Sequence, residues 1–173
     1  IQAKLDALST EKVENIEIGG RNLIILSRVS KNKYLDELGN IGDTPLFSIT
    51  DYIEVTPNTN YIHSYSENYG TNPSVCFFDS NKDFISGISG SSRSIFKTPV
   101  GTKYLRTTLY NASIDKEKLE KGNKATDWTP APEDVQAEID AAKQEALSAA
   151  SDAQSTANSL KNFTDTAFRD GII

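Results

Sequence analysis

The sequence predicts a mainly β fold: a β-sandwich or jelly roll flanked by N- and C-terminal coiled-coil helices. Three observations predict it. First, all six Pro lie between Pro45 and Pro132, nine of the ten Gly between Gly19 and Gly122, and all seven Tyr between Tyr34 and Tyr110. Second, this Tyr-rich stretch holds roughly seven or eight short strand-type runs separated by turn residues, the pattern of sandwiches and jelly rolls. Third, beyond Pro132 there is no Pro, Tyr or Trp, and Ala becomes dominant. Such a shift marks the change from a turn-rich module to a helix. The predicted organisation is an N-terminal helix over residues 1–18, a β-sandwich over 19–132 and a C-terminal coiled-coil helix over 133–173.

The elements follow in order. Ile1, Leu5 and Leu8 make one helical step and Val13 with Ile16 another, before Gly19-Gly20 ends the helix. Asn22–Leu26 is an apolar run suited to a buried strand. Ile49–Val55 reads as a strand ending at the turn Thr56-Pro57-Asn58, and Tyr61–Tyr65 follows closely enough to predict a hairpin. Ser74–Phe78 and Phe84–Ile88 flank a second turn, Asp79-Ser80-Asn81-Lys82. Ser94–Lys97 precedes the break at Pro99. Lys103–Tyr110 carries the clearest alternation, with Leu105, Thr107 and Leu109 on one face and Tyr104, Arg106, Thr108 and Tyr110 on the other.

The tail is periodic. Val135, Ile139, Ala142, Ala146, Ala149, Ala153, Thr156, Leu160, Phe163 and Ala167 are spaced alternately by four and three residues. A strict heptad seam implies a left-handed supercoil of several helices. The competing reading is one amphipathic helix lying on the β module, but such a helix carries larger apolar residues on a wider stripe. Pro132-Glu133-Asp134 is a good helix start, with carboxylates at the positive end of the macrodipole.

Composition excludes several classes. The 173 residues include 18 Lys+Arg and 24 Asp+Glu, a net charge of −6, which argues against a nucleic-acid partner. The hydrophobic share of 37% places part of the chain outside a conventional core. No apolar run approaches the roughly 20 residues of a membrane span, so no membrane insertion is expected. The chain lacks Met and opens Ile1-Gln2-Ala3, which reads as a piece of a longer polypeptide. Its one Cys, Cys76, reads as a small buried hydrophobe.

Catalytic chemistry has little support. A single His, His63, cannot build the usual zinc site, and no nucleophile elbow or phosphate-binding Gly motif is present. No enzymatic activity, cofactor or metal is therefore expected. Asp79, Asn81 and Asp83 alternate like oxygen ligands, yet the Gly and distal Glu of a calcium loop are missing, which favours a turn. The Gly/Ser-rich stretch Ser86–Ser92 reads as a flexible connection before a binding loop. Trp128, at the end of the module, is expected to plug it.

Aromatic residues offer more. Sugar recognition uses flat rings against the C–H faces of a pyranose and planar polar groups for its hydroxyls. Tyr104, Arg106 and Tyr110 share a strand face opposite an apolar one and are expected to face solvent. Tyr61, His63 and Tyr65 share another, with Tyr69 in the loop beyond. The candidate carbohydrate-binding residues are Tyr104, Arg106, Tyr110, His63, Tyr65 and Tyr69; the competing reading makes some of these tyrosines core residues.

Two strings resemble a known family. Gly20-Arg21-Asn22-Leu23 opens the β module and Leu119-Glu120-Lys121-Gly122-Asn123-Lys124-Ala125-Thr126-Asp127-Trp128-Thr129-Pro130-Ala131-Pro132-Glu133-Asp134 closes it. Both resemble tail-tip, tail-fibre and baseplate proteins of phages and prophages of Gram-positive bacteria, as does Phe168–Ile173. The stretches Ser48–Tyr61 and Phe77–Gly87 resemble the carbohydrate-binding-module-like jelly rolls found in them. The resemblance implies a non-catalytic sandwich on a trimeric stalk, made in the bacterial cytoplasm and carried on the virion tail facing the host. It implies as partners two further copies of the chain, other tail proteins and a host cell-wall or surface polysaccharide. It assigns no ligand residues. The rival readings are a spacer or assembly domain without a ligand and a polysaccharide-degrading tail enzyme.

Overall fold

A computed structural model describes residues 19–64, 74–89 and 94–172. The predicted N-terminal helix and two candidate residues, Tyr65 and Tyr69, fall outside the described residues. The chain divides into two compact units between Asp134 and Val135.

The first unit is mainly β. Its described strands are β1 Ser30–Leu35, β2 Ile41–Ile49, β3 Ile53–Glu54, β4 Asn60–Ser64, β5 Ser74–Phe78, β6 Phe84–Ser89, β7 Ser94–Lys97, β8 Tyr104–Tyr110 and β9 Lys118–Lys121. A six-stranded sheet runs β1-β2-β8-β5-β6, and a three-stranded sheet runs β7-β4-β9. The pairings are antiparallel throughout. β8 is central because its alternating bulky and β-branched residues suit burial on both faces. On one side it takes β5, with Phe77 opposite Leu105. On the other it takes two strands in tandem: β2 along its end, with Ile49 opposite Thr108, and β3 along its start, with Ile53 opposite Leu105.

Period-two alternation gives this sheet two buried faces. Val75, Phe77, Leu105 and Leu109 point inward and meet Tyr61, Phe96 and Leu119 of the smaller sheet, with Ile24 and Val55 completing one core. Each such side chain contributes about 1.5–3 kcal/mol by leaving water. Leu35, Ile49, Cys76 and Phe78 form a second cluster on the outer face, flanked by Tyr52 and Tyr104.

The β1–β2 hairpin accounts for the second cluster. Its turn is set by Asp36, whose carboxylate accepts the N–H groups of Leu38 and Asn40 at 2.9 and 2.8 Å. The Asn40 side chain and these N–H groups hold the Asp36 carboxyl below its ordinary pKa. The hairpin folds back over the outer face. Leu35 exchanges hydrogen bonds with Thr108 Oγ1, its N–H donating at 2.9 Å and its carbonyl accepting at 3.0 Å. Cys76 Sγ donates to the Asp36 carbonyl at 3.0 Å. The close approach needs small residues on both sides. A Cβ on Gly87 would run into the Glu37 carbonyl oxygen, and one on Gly39 would lie 2.7 Å from the Phe84 ring.

Several expectations are corrected. Asn22–Leu26 is an extended segment rather than a strand: Leu23 N–H donates to the Leu119 carbonyl of β9 at 2.8 Å, but the chain turns into a 3-10 helix at Leu26–Arg28 before a ladder forms. The run Ile49–Val55 is broken: β2 ends at Ile49 and the short β3 begins at Ile53. No hairpin joins it to Tyr61–Ser64, since β3 and β4 belong to different sheets. The turn at Asn58, with φ of 53°, instead carries the chain from one sheet to the other.

The opening and closing strings lie side by side. Asn22 Nδ2 donates to the carbonyls of Glu117 and Thr129 at 3.2 and 3.1 Å, while its Oδ1 accepts from Ile24 and Leu119 N–H at 3.0 and 3.2 Å. Arg21 pairs with Glu133. Trp128 is 45% exposed and does not plug the module; its indole N–H donates to the Glu117 carbonyl at 3.2 Å, pinning the closing segment.

Helix α1 spans Pro132–Arg169. It ends in a Schellman motif: Gly171 has φ of 73°, Ile172 N–H donates to Ala167 O at 2.9 Å and Gly171 N–H to Phe168 O at 3.2 Å. Of the expected seam, Val135, Ile139, Leu160 and Phe163 are exposed in the single chain, Phe163 by 70%.

Candidate functional site

A cleft of about 570 Å³ opens beside the β2–β3 turn. That volume lies within the roughly 300–1,000 Å³ typical of small-ligand sites. Its polar lining comes from Arg21 and Arg28 of the opening segment, Asp51 of the turn, Glu54 of β3 and Glu133 of the first turn of α1. Tyr52 and Tyr104 supply aromatic walls.

The turn is held from behind. Thr50 N–H donates to Thr107 O and Thr107 N–H to Thr50 Oγ1, both at 3.0 Å. Arg106 Nε donates to Thr50 O at 2.9 Å. Thus β8 fixes the residue from which Asp51 and Tyr52 project. Asp51 Oδ1 accepts the Tyr52 N–H at 2.7 Å, which turns the carboxylate toward the following residue.

Tyr52 is the centre of an aromatic and cationic group. Its ring meets Phe78 edge-on at 5.1 Å and Tyr104 at 6.0 Å. Lys82 Nζ lies 4.6 Å from the Tyr52 centroid, and Arg106 Cζ lies 4.8 Å from it. Each cation–π contact is worth about 0.5–2 kcal/mol, more when desolvated. These contacts hold the ring in place. At the rim Lys103 pairs with Glu54. The hydrogen bond and charge of Glu54 raise the Lys103 pKa.

The predicted residues are dispersed. Tyr104 lines the cleft. Arg106 shares its sheet face but is only 9% exposed, held by Thr50 and the Tyr52 ring, and does not line the cleft. Tyr110 sits at the other end of β8 against Phe47, with ring centroids 5.7 Å apart. The expected solvent-facing row Tyr104–Arg106–Tyr110 is therefore not an exposed face. The β1–β2 hairpin covers its middle at Thr108, an arrangement that strand alternation does not encode. His63 points between the sheets, 1% exposed, with Nε2 3.0 Å from Glu117 Oε2 and Nδ1 3.3 Å from Thr107 Oγ1. It belongs to a buried polar cluster away from the cleft lining. Tyr65 and Tyr69 lie outside the described residues.

Sequence reasoning missed Arg21, Arg28, Asp51 and Tyr52. The available signal was the tripeptide Thr50-Asp51-Tyr52 itself. An acidic residue beside an aromatic one interrupts the apolar run Ile49–Val55 and marks a turn.

Among the described residues no group of three His, Cys, Asp or Glu side chains is placed to hold a metal. Asp79 Oδ1 is spent on its own turn, accepting Asn81 and Asp83 N–H at 2.8 and 3.0 Å. Burial pushes the Cys76 thiol up to about 11, which leaves little thiolate near neutral pH. No helix among the described residues is long and apolar enough to cross a membrane.

Comparison with known proteins adds a separate observation. Over 139 residues, 77% of this chain, the sequence is 30% identical to a tail fiber protein of Enterococcus phage phiEF24C. The chain is similar to a segment of a phage tail fiber protein. The match covers 8% of that protein's length. No family model matches the chain, and no solved structure matches it.

Proposed function

We propose that this chain is a non-catalytic module of a phage tail fibre, carried on the virion tail, that recognises a host cell-surface or cell-wall saccharide. The observation that carries this reading is the similarity to a tail fiber protein over 77% of the chain. The cleft beside Asp51 and Tyr52 supports the saccharide part, because it combines aromatic walls with carboxylate and guanidinium groups. In this reading the β unit is a jelly roll of the carbohydrate-binding-module kind. Helix α1 joins three copies through the seam that includes Val135, Ile139, Leu160 and Phe163, and neighbouring tail proteins extend the fibre. Three weak sites on one stalk bind a repetitive surface with gained avidity.

Co-sedimentation with sacculi of Gram-positive bacteria tests the proposal. The chain is expected to pellet with intact sacculi and to stay in solution after periodate has cleaved the vicinal diols of their sugars. Failure to pellet with any sacculus contradicts saccharide recognition.

A second reading, a spacer domain without a ligand, draws support from the burial of Arg106 and His63 and from the bonding between opening and closing strings. It predicts no binding in the same assay.

A further inference from the structure

The ligand class can be narrowed from the charges of the cleft. The charged side chains lining it are two guanidinium groups, Arg21 and Arg28, and three carboxylates, Asp51, Glu54 and Glu133. Two of these carboxylates are engaged, Glu133 by Arg21 and Glu54 by Lys103. Among the described residues Arg28 and Asp51 take part in no ion pair, and both are exposed. Asp134, whose carboxyl Arg28 helps to keep ionised, places a further negative charge near that arginine. With Lys103 on Glu54 and with Lys82 and Arg106 against the Tyr52 ring, the charges around the cleft nearly cancel, and the chain carries −6 overall, so nothing here concentrates a phosphate-bearing polymer. An uncharged polyol needs no net charge. It would find a carboxylate that accepts from hydroxyls and a guanidinium fork that donates to them.

The geometry points to a neutral saccharide as the occupant of this cleft: a hexose, 6-deoxyhexose or N-acetylhexosamine at the end or edge of a surface glycan. Asp51 accepts hydrogen bonds from its hydroxyls, Arg28 donates to its oxygens, and the Tyr104 wall takes its C–H face. Tyr52, whose ring already carries Lys82 and Arg106, supports the Tyr104 wall edge-on at 6.0 Å. This inference rests on the saccharide reading above and assigns that reading a place and a charge class.

The test is isothermal titration of the intact 173-residue chain with two kinds of probe. One is a panel of neutral mono- and disaccharides of the three classes named; the other is polyglycerol phosphate. The variants are Arg28→Ala, Asp51→Ala and, as a surface control remote in sequence from the cleft lining, Val100→Ala. Binding of at least one neutral sugar is expected, weakened about tenfold or more by Arg28→Ala and by Asp51→Ala. It should be unchanged by Val100→Ala and nearly indifferent to salt. Sugar binding that both cleft variants retain overturns the site while leaving saccharide recognition standing. Binding of polyglycerol phosphate alone, falling steeply with salt, overturns the neutral class. If sacculi bind but no neutral sugar does, this inference fails by itself; if neither binds, it fails together with the reading it rests on.

Discussion

Asp134 accepts three hydrogen bonds from two residues at the far end of the β unit's chain: Ser27 donates its N–H at 3.0 Å and its hydroxyl at 2.7 Å, and Leu26 its N–H at 2.7 Å. One carboxylate in the first turn of α1 thereby holds the 3-10 turn that precedes β1. The closing motif of the module is, in physical terms, a clasp on its opening.

The clasp is pH-sensitive, and the sign follows from Asp134. Burial alone would raise its pKa, but the bonds from Ser27 and Leu26 and the charge of Arg28 outweigh burial and lower it. A carboxyl with a depressed folded-state pKa stabilises the fold above the unfolded value of about 3.9, and that contribution is lost as pH falls through the folded value. Asp134→Asn is expected to destabilise the chain at pH 7 by about 1–3 kcal/mol in urea denaturation. The difference from wild type should shrink as pH falls below about 4.

Glu117 joins two parts of the core. Its Oε2 meets His63 Nε2 at 3.0 Å and its Oε1 accepts the Tyr110 N–H at 2.7 Å, with the residue 2% exposed. Removing Glu117 takes a buried hydrogen-bond partner from the His63 ring and another from the Tyr110 N–H, at a cost of about 1–3 kcal/mol for each buried group. Glu117→Ala should therefore lower thermal stability far more than Arg28→Ala. A His63 that served the ligand instead would show its effect in binding with stability unchanged.

Gly87 tests the covering hairpin. A methyl group there would collide with the Glu37 carbonyl. Gly87→Ala is expected to cost about 1–3 kcal/mol and to lift the turn from the outer face. Cys76, whose Sγ bonds to Asp36 O under that turn, should then react faster with iodoacetamide than in wild type. Unchanged reactivity and stability would show that the turn yields without opening.

The seam of α1 makes a prediction about assembly. Sedimentation equilibrium should return three times the 19.0 kDa chain mass. Replacing Leu160 and Phe163 together by Ser should shift the mass toward that of one chain, since these are the largest apolar groups on the C-terminal half of an Ala-rich seam. A monomer at high concentration contradicts the trimer.

How much of this was legible in the sequence depends on whether local pattern or tertiary context decided the outcome. β5, β7 and β8 lie within a residue of expectation, because their alternation and flanking turns are local signals. The long helix was legible for the same reason. β1 and β2 were not, because Asn32 adopts φ of 60° within one and Pro45 interrupts the other, and both features disguise strands. β9, Lys118–Lys121, hides its role because Lys118 and Glu120 read as surface residues. Both are buried, each satisfied by Thr126. The cleft was hardly legible: Tyr104 was singled out, but Arg28 and Asp51 meet it only through the packing of the opening segment against the β2–β3 turn.

The most direct test of saccharide recognition at this cleft is amide chemical-shift mapping of the intact chain titrated with a neutral host-wall oligosaccharide. The account predicts shifts concentrated on Arg21–Arg28, Thr50–Thr56 and Tyr104, with His63 and Glu117 unmoved. Shifts centred elsewhere, or none at saturating sugar, would contradict it.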